Sequence, residues 1–185
     1  MGIFGGAFDP PHNGHVALVR AAKRKLGLDR VLVLVSAAPG HKAVATPAST
    51  RLELARAAFP DDDVVLDEHA RTVDALRAHP EWEGSLFLLG ADEFCDFLSW
   101  KEPDEVVRLI ELAVAARPGY PHERLESVRA QLALPERVRF FELDEPFASR
   151  DLRAEFEAGD VPPAVAAIVA REGLYGGTRG YTGAA

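Results

Sequence analysis

Two imidazoles stand three residues apart at the end of a glycine-rich loop, Gly5-Gly6-Ala7-Phe8-Asp9-Pro10-Pro11-His12-Asn13-Gly14-His15. The loop leaves a short hydrophobic stretch and ends where helical spacing begins. A helix N-terminus offers unpaired N–H groups and the positive end of the macrodipole, so a triphosphate could rest there while His12 and His15 reach its oxygens. The pattern describes an anion site with two proton carriers. Gly5 and Gly6 would let backbone approach phosphate without a Cβ clash, Pro10 and Pro11 would stiffen the turn, and Gly14 would allow close packing at the helix start. Helix capping or surface exposure is the bland alternative for the histidines, and a zinc site would lack a clear third ligand.

The segment is not a Walker loop, which needs a terminal Gly-Lys-Ser/Thr, nor a dinucleotide fingerprint with its three spaced glycines. A second candidate lies late in the chain at Phe147-Ala148-Ser149-Arg150-Asp151-Leu152-Arg153. Ser149 can cap a helix whose N–H groups face phosphate, and Arg153 can form a fork with β- and γ-phosphates.

These groups need a frame. Residues 1–4 and 31–35 are continuous apolar runs bracketing helical spacing at Val16, Val19 and Leu26, with a stop at Gly27. Continuous apolar strands suit a parallel sheet covered on both faces. The alternation continues with strands expected at 64–66, 85–89, 112–116 and 138–143. Helices are expected after a Ser49 or Thr50 cap and at 73–79, 92–100, 104–110 and 123–132. The fold class is therefore α/β, a Rossmann-like, doubly wound, mainly parallel sheet whose ligands bind at the carboxyl ends of the strands. Residues 149–159 and 163–172 read as successive helices, forming a C-terminal helical part over about 147–175. The chain reads as one domain over 1–175, and the glycine-rich 176–185 as a mobile tail.

Composition sets outer limits. The 185 residues can bury one sizeable core, and 48% hydrophobic with 27% charged residues is ordinary for a globular domain. A net charge of −8 argues against a broad electrostatic grip on nucleic acid, so any phosphate must be held locally. The single Cys95 excludes an intrachain disulfide and a cysteine metal cluster. No apolar run approaches the roughly 20 residues needed to span a bilayer, and no signal peptide is evident, so a cytoplasmic location with no membrane partner is the expectation.

The string Gly-Gly-x-Phe-Asp-Pro followed by His12-Asn13-Gly14-His15, directly after an N-terminal strand, resembles the HxGH nucleotidyltransferase superfamily. Within it the chain is most similar to bacterial nicotinate-nucleotide adenylyltransferases. The marks of that similarity occur in order: His41-Lys42, Arg51, Thr72-x-Asp74, Gly90-Ala91-Asp92, Trp100, Arg117-Pro118-Gly119 and Gly173-Leu174-Tyr175. The resemblance implies transfer of AMP from ATP, with Mg²⁺, to nicotinate mononucleotide, giving deamido-NAD and pyrophosphate by direct attack. It assigns His12, His15 and Arg153 to catalysis. Gly5, Gly6, Phe8, Gly14, His15, Ser149 and Arg153 would bind ATP. His41, Lys42, Thr72, Asp92, Trp100 and Arg117 would serve the acceptor, with Thr72 and Trp100 at the pyridine ring and Asp92 at ribose hydroxyls.

The chain departs from the family pattern in three places. Ala7 stands where Thr is usual, Arg71 where Tyr precedes Thr72, and Arg150 where the late motif has a hydroxyl. These departures keep other readings open: a different acceptor such as NMN, phosphopantetheine or an alcohol phosphate, or a nucleotide-binding homologue without turnover. The oligomeric state is left open as well, a homo-oligomer included.

Overall fold

The computed structural model describes residues 1–39, 44–117, 119–143 and 156–176. Six strands appear in chain order: β1 (Gly2–Gly6), β2 (Val31–Ser36), β3 (Asp63–Asp67), β4 (Leu86–Gly90), β5 (Glu111–Ala116) and β6 (Val138–Glu142). The helices are α1 (Asn13–Leu26), α2 (Ala48–Ala58), α3 (Thr72–Ala78), α4 (Ala91–Cys95), α5 (Pro103–Leu109), α6 (His122–Arg129) and α7 (Pro163–Glu172). The strands form a single sheet of order β3-β2-β1-β4-β5-β6, and every paired neighbour is parallel. The doubly wound reading therefore stands, with a parallel sheet throughout.

The continuous apolar strands have a simple cause. Alternate side chains of each strand enter two different cores, because helices cover both faces. Phe4, Val33, Val35, Leu88 and Ala113 point into the layer shared with α1, α2 and α7. Ile3, Leu34, Phe87, Leu89 and Leu112 point into the layer shared with α3, α4, α5 and α6. The late helix α7 contributes Val165, Ala166, Ile168 and Val169 to the first layer and lies against α2.

Helix α1 ends as its sequence suggests. Gly27 adopts the left-handed conformation (φ 65°), and its N–H returns to the Lys23 carbonyl. Other boundaries differ from the sequence reading. Pro47 rather than Ser49 or Thr50 occupies the cap of α2, so both hydroxyl residues sit in its first turn. The helix expected over 92–100 breaks after Cys95, and a separate 3₁₀ turn covers Phe97–Ser99. There the Ser99 N–H and hydroxyl both donate to the Asp96 carbonyl, at 2.9 and 2.7 Å, and close a tight turn in place of a helical one. Helix α6 stops at Arg129, short of Leu132. In the segment expected to be helical over 149–159, the described residues form only a short 3₁₀ turn at Ala158–Asp160, where the Asn13 side-chain amide donates to the Gly159 carbonyl at 2.9 Å.

In this strand order the chain departs from β1 to one side through β2 and β3, then returns to lay β4 against β1. The switch point lies between β1 and β4, and a crevice opens there at the carboxyl ends of the strands.

Candidate active site

The crevice is a cleft of about 900 Å³, within the range that accommodates nucleotide-sized ligands. Its floor is supplied by strand ends, namely Gly5 and Gly6 of β1, Ser36 of β2, Leu89 and Gly90 of β4 and Ala115 of β5. The glycine-rich loop forms one wall, and His12, the N-cap of α1, and His15 in its first turn both face the cleft.

The two imidazoles are stacked, with centroids 3.6 Å apart and planes 25° from parallel. The His12 backbone N–H donates to His15 Nδ1 at 3.1 Å. Because Nδ1 accepts, the ring proton of His15 resides on Nε2, leaving a donor on the edge away from the backbone. Burial pulls the His12 pKa down from 6.5 to about 4, against the opposing pull of Asp92 and with further lowering by Arg117. At neutral pH His12 is therefore an uncharged hydrogen-bonding group, not a standing cation. His15 is thus an oriented N–H donor and His12 a neutral imidazole stacked on it, rather than two charged proton carriers.

Aromatic packing fixes this geometry. Phe8, at φ 50°, turns its ring inward, where it meets Phe4 at 5.4 Å, His15 at 5.2 Å and Phe59 at 5.8 Å between centroids. A Cβ on Gly6 would lie 3.0–3.3 Å from the Phe8 ring, and one on Gly5 would lie 3.3 Å from Phe87. Both glycines face the cleft as expected, yet their local constraint is the rings behind them.

Behind the loop, α2 inserts Arg51, only 1% exposed. Its guanidinium donates to the carbonyls of Ala7 (2.7 Å), Ser36 (2.7 Å), Ala37 (3.1 Å) and Thr46 (3.0 Å). Desolvation lowers its pKa while Asp9 and Tyr175 oppose the shift. Since Ala7 is held through its carbonyl, the missing Thr hydroxyl does not alter this anchor. A second anchor comes from the far end of the chain. The Tyr175 hydroxyl donates to Asp9 Oδ1 and accepts from Thr46 Oγ1 at 3.0 Å. Burial and the Asp9 hydrogen bond raise the tyrosine's pKa.

The opposite wall gathers the remaining described candidates. Thr72 opens α3, with Arg71 rather than Thr72 at the cap position. Arg71 lies exposed on the cleft, its Nη1 donating to the Ala70 carbonyl at 3.0 Å. Trp100 lines the cleft while its ring packs on Phe97 (5.0 Å) and Phe87 (6.4 Å), so it is both core and wall. Asp92, in the first turn of α4, lies 3.6 Å from Arg117 Nη2. Arg117 also covers the Tyr120 ring at 4.9 Å. Gly90 leaves room for Asp92, since a Cβ there would fall 2.6 Å from Asp92 Oδ1. The cleft thus brings together Gly5, Gly6, Phe8, Gly14, His12, His15, Thr72, Asp92, Trp100 and Arg117. His41, Lys42, Ser149 and Arg153 lie outside the described residues, as does Arg150.

Sequence reading alone assigned no role to Arg51, Asp9, Thr46 or Tyr175. Arg51 carried a signal, an arginine at the start of a helix following a strand, but three of its four carbonyl partners, Ala7, Ser36 and Ala37, lie 14 to 44 residues away. Among the described residues no group of three or more His, Cys, Asp or Glu is arranged to hold a metal ion. None of the described helices is long and apolar enough to cross a membrane.

A doubly wound parallel sheet with paired imidazoles at its switch point defines the class of HxGH nucleotidyltransferases. A family model described as cytidylyltransferase-like matches residues 3–153. The chain is 35% identical over 192 residues to a probable nicotinate-nucleotide adenylyltransferase of Thermus thermophilus, covering 95% of this chain and 98% of the relative. A similarly named protein of Solibacter usitatus is 34% identical with the same coverage. Among solved structures, the Plasmodium falciparum nicotinic acid mononucleotide adenylyltransferase complexed with NaAD superposes with a TM-score of 0.73 at 18% identity, covering 95% of this chain and 96% of that one. That likeness shows the fold. The chain belongs to the cytidylyltransferase-like nucleotidyltransferases and, within them, to the nicotinate-nucleotide adenylyltransferase family.

Proposed function

We propose that the protein transfers AMP from ATP to nicotinate mononucleotide, releasing pyrophosphate. A phosphate oxygen of the acceptor attacks the α-phosphorus of ATP. The bond from that phosphorus to the bridging oxygen breaks in line, and the electron pair leaves with pyrophosphate. The observation that carries this reading is the His12–His15 pair on the loop wall of a cleft whose facing wall presents Thr72, Asp92 and Trp100.

The chemistry demands two anions brought together and charge stabilised on phosphoryl oxygens. His15, with its N–H on Nε2, supplies a donor already oriented. His12 supplies a second, and the charge of an incoming triphosphate would favour its protonated form, countering the desolvation that lowers its pKa. Thr72 and Trp100 suit a flat heteroaromatic ring with a polar substituent, and Asp92 suits ribose hydroxyls. His41 and Lys42 are proposed on the acceptor side, and Ser149 and Arg153 on the triphosphate, from the motif resemblance.

Mg²⁺ is proposed to arrive with ATP. The carboxylates of Asp9, Asp67, Asp92, Glu93 and Asp96 line the cleft, and among the described residues no three are grouped to hold a metal, which fits an ion held mainly by substrate phosphates and water. When bound it would neutralise phosphate charge, while the protein's own groups orient the reacting oxygens.

Pyrophosphate release measured with ATP, Mg²⁺ and separate acceptors tests the reading. Nicotinate mononucleotide should be preferred over NMN, phosphopantetheine and alcohol phosphates. Preference for another acceptor would replace the acceptor assignment, and no release with any would remove the enzymatic reading.

A further inference from the structure

We propose that Tyr175 is a positioning residue for the histidine loop, fixing the backbone from which His12 and His15 project. The inference rests on the adenylyl-transfer reading for its catalytic consequence, but its structural basis stands apart from the choice of acceptor. Tyr175 belongs to none of the sheet strands and lies 166 residues from its partner Asp9. Its hydroxyl nevertheless joins the middle of the loop to Thr46 at the approach to α2, donating to one and accepting from the other. A hydroxyl offers one donated and one or more accepted bonds, so replacing it with hydrogen severs both links at once.

The site of attachment explains its leverage. Asp9 lies between Phe8, whose left-handed backbone turns its ring under His15, and the Pro10-Pro11 pair that leads into His12. The loop is otherwise tied at Ala7 by the Arg51 guanidinium, so Ala7 and Asp9 are gripped on either side of Phe8. Thr46 serves both grips, giving its carbonyl to Arg51 Nε and its hydroxyl to Tyr175. Tyr175 is in turn braced by Phe156, with ring centroids 6.0 Å apart and planes 23° from parallel. Losing the Asp9 link would let the loop shift, and a displacement of about 1 Å at reacting groups can cost on the order of 100-fold in rate.

The test is Tyr175→Phe, with Thr46→Val as a second variant that removes one of the two links. ATP affinity is measured by calorimetry without acceptor, and kcat and both KM values are measured on active-site-titrated protein. Tyr175→Phe is expected to weaken ATP binding severalfold and lower kcat at least about tenfold, with the acceptor KM unchanged. Thr46→Val should show the same pattern, reduced. A variant with wild-type ATP affinity, kcat and KM values overturns the proposal, whatever its melting temperature, because lost stability alone lowers the folded fraction and not these constants. If Tyr175→Phe does not fold, unchanged constants in Thr46→Val overturn it equally. Wild-type protein that binds ATP but adenylates no acceptor would end the catalytic reading and leave ATP affinity to decide the positioning role. Wild-type protein that does not bind ATP would end both.

Discussion

The rings of His12 and His15 lie stacked 3.6 Å apart, while the His12 main-chain N–H donates to His15 Nδ1. One residue's backbone therefore fixes which nitrogen of the other carries the proton. The active face of this helix start is set by main-chain geometry as much as by side-chain identity.

Replacing His15 by Ala removes the oriented Nε2–H donor and one wall of the Phe8 ring. Turnover should fall by about 10²–10³, the cost usual for one donor aimed at developing charge, while the far-ultraviolet circular dichroism stays that of the wild type. A turnover within threefold of wild type would take His15 out of the chemistry.

The depressed pKa of His12 has a defined sign in stability. Its proton is bound near pH 6.5 in the unfolded chain and near 4 in the folded one. Between those values the unfolded state holds more protons, so this contribution is full above pH 6.5 and is lost as pH falls toward 4. It amounts to at most about 3 kcal/mol. His12→Gln, which cannot titrate, should lose less stability than wild type between pH 6.5 and 5 in urea denaturation. Parallel curves would show that His12 is not desolvated in the folded state.

Arg51 holds four carbonyls from three segments in a buried setting. Lysine has three donors and no planar fork, so Arg51→Lys leaves carbonyls unsatisfied and should cost about 2–4 kcal/mol by denaturant unfolding. A loss below about 0.5 kcal/mol would mean that water replaces the guanidinium there.

Gly90 permits Asp92 to sit against the end of β4. A methyl group at Gly90 would meet Asp92 Oδ1 at 2.6 Å, and the aspartate side chain, 45% exposed, can swing aside. Gly90→Ala should therefore keep stability within about 1 kcal/mol while raising a substrate KM severalfold. Combined with Asp92→Ala it should add nothing further, since both changes remove the same carboxylate. Additive KM effects would separate Gly90 from Asp92.

Much of this architecture was legible in the residues. Apolar runs such as Val31-Leu32-Val33-Leu34-Val35 declare strands buried on both faces, because no alternation survives when both faces are covered. The Gly5–His15 loop declared its place at a strand end by composition. Boundaries set by single hydrogen bonds were less visible: Ser99 closing on Asp96 breaks a helix that periodicity alone would continue. Least visible were the supports of the site. Arg51 acts through Ala7, Ser36 and Ala37, 14 to 44 residues away, and Tyr175 through Thr46 and Asp9, 129 and 166 residues away, and no local spacing encodes such pairings. The protonation of His12 was hidden for a related reason, since burial rather than neighbouring sequence sets it.

The most direct test of the central claim is the product ratio in a single reaction of purified protein with ATP, Mg²⁺ and nicotinate mononucleotide. Chromatography of the nucleotides beside a pyrophosphate assay should find deamido-NAD and pyrophosphate formed one for one, with neither formed when the acceptor is withheld. Pyrophosphate without a dinucleotide, or no consumption of ATP at all, would contradict adenylyl transfer at this cleft.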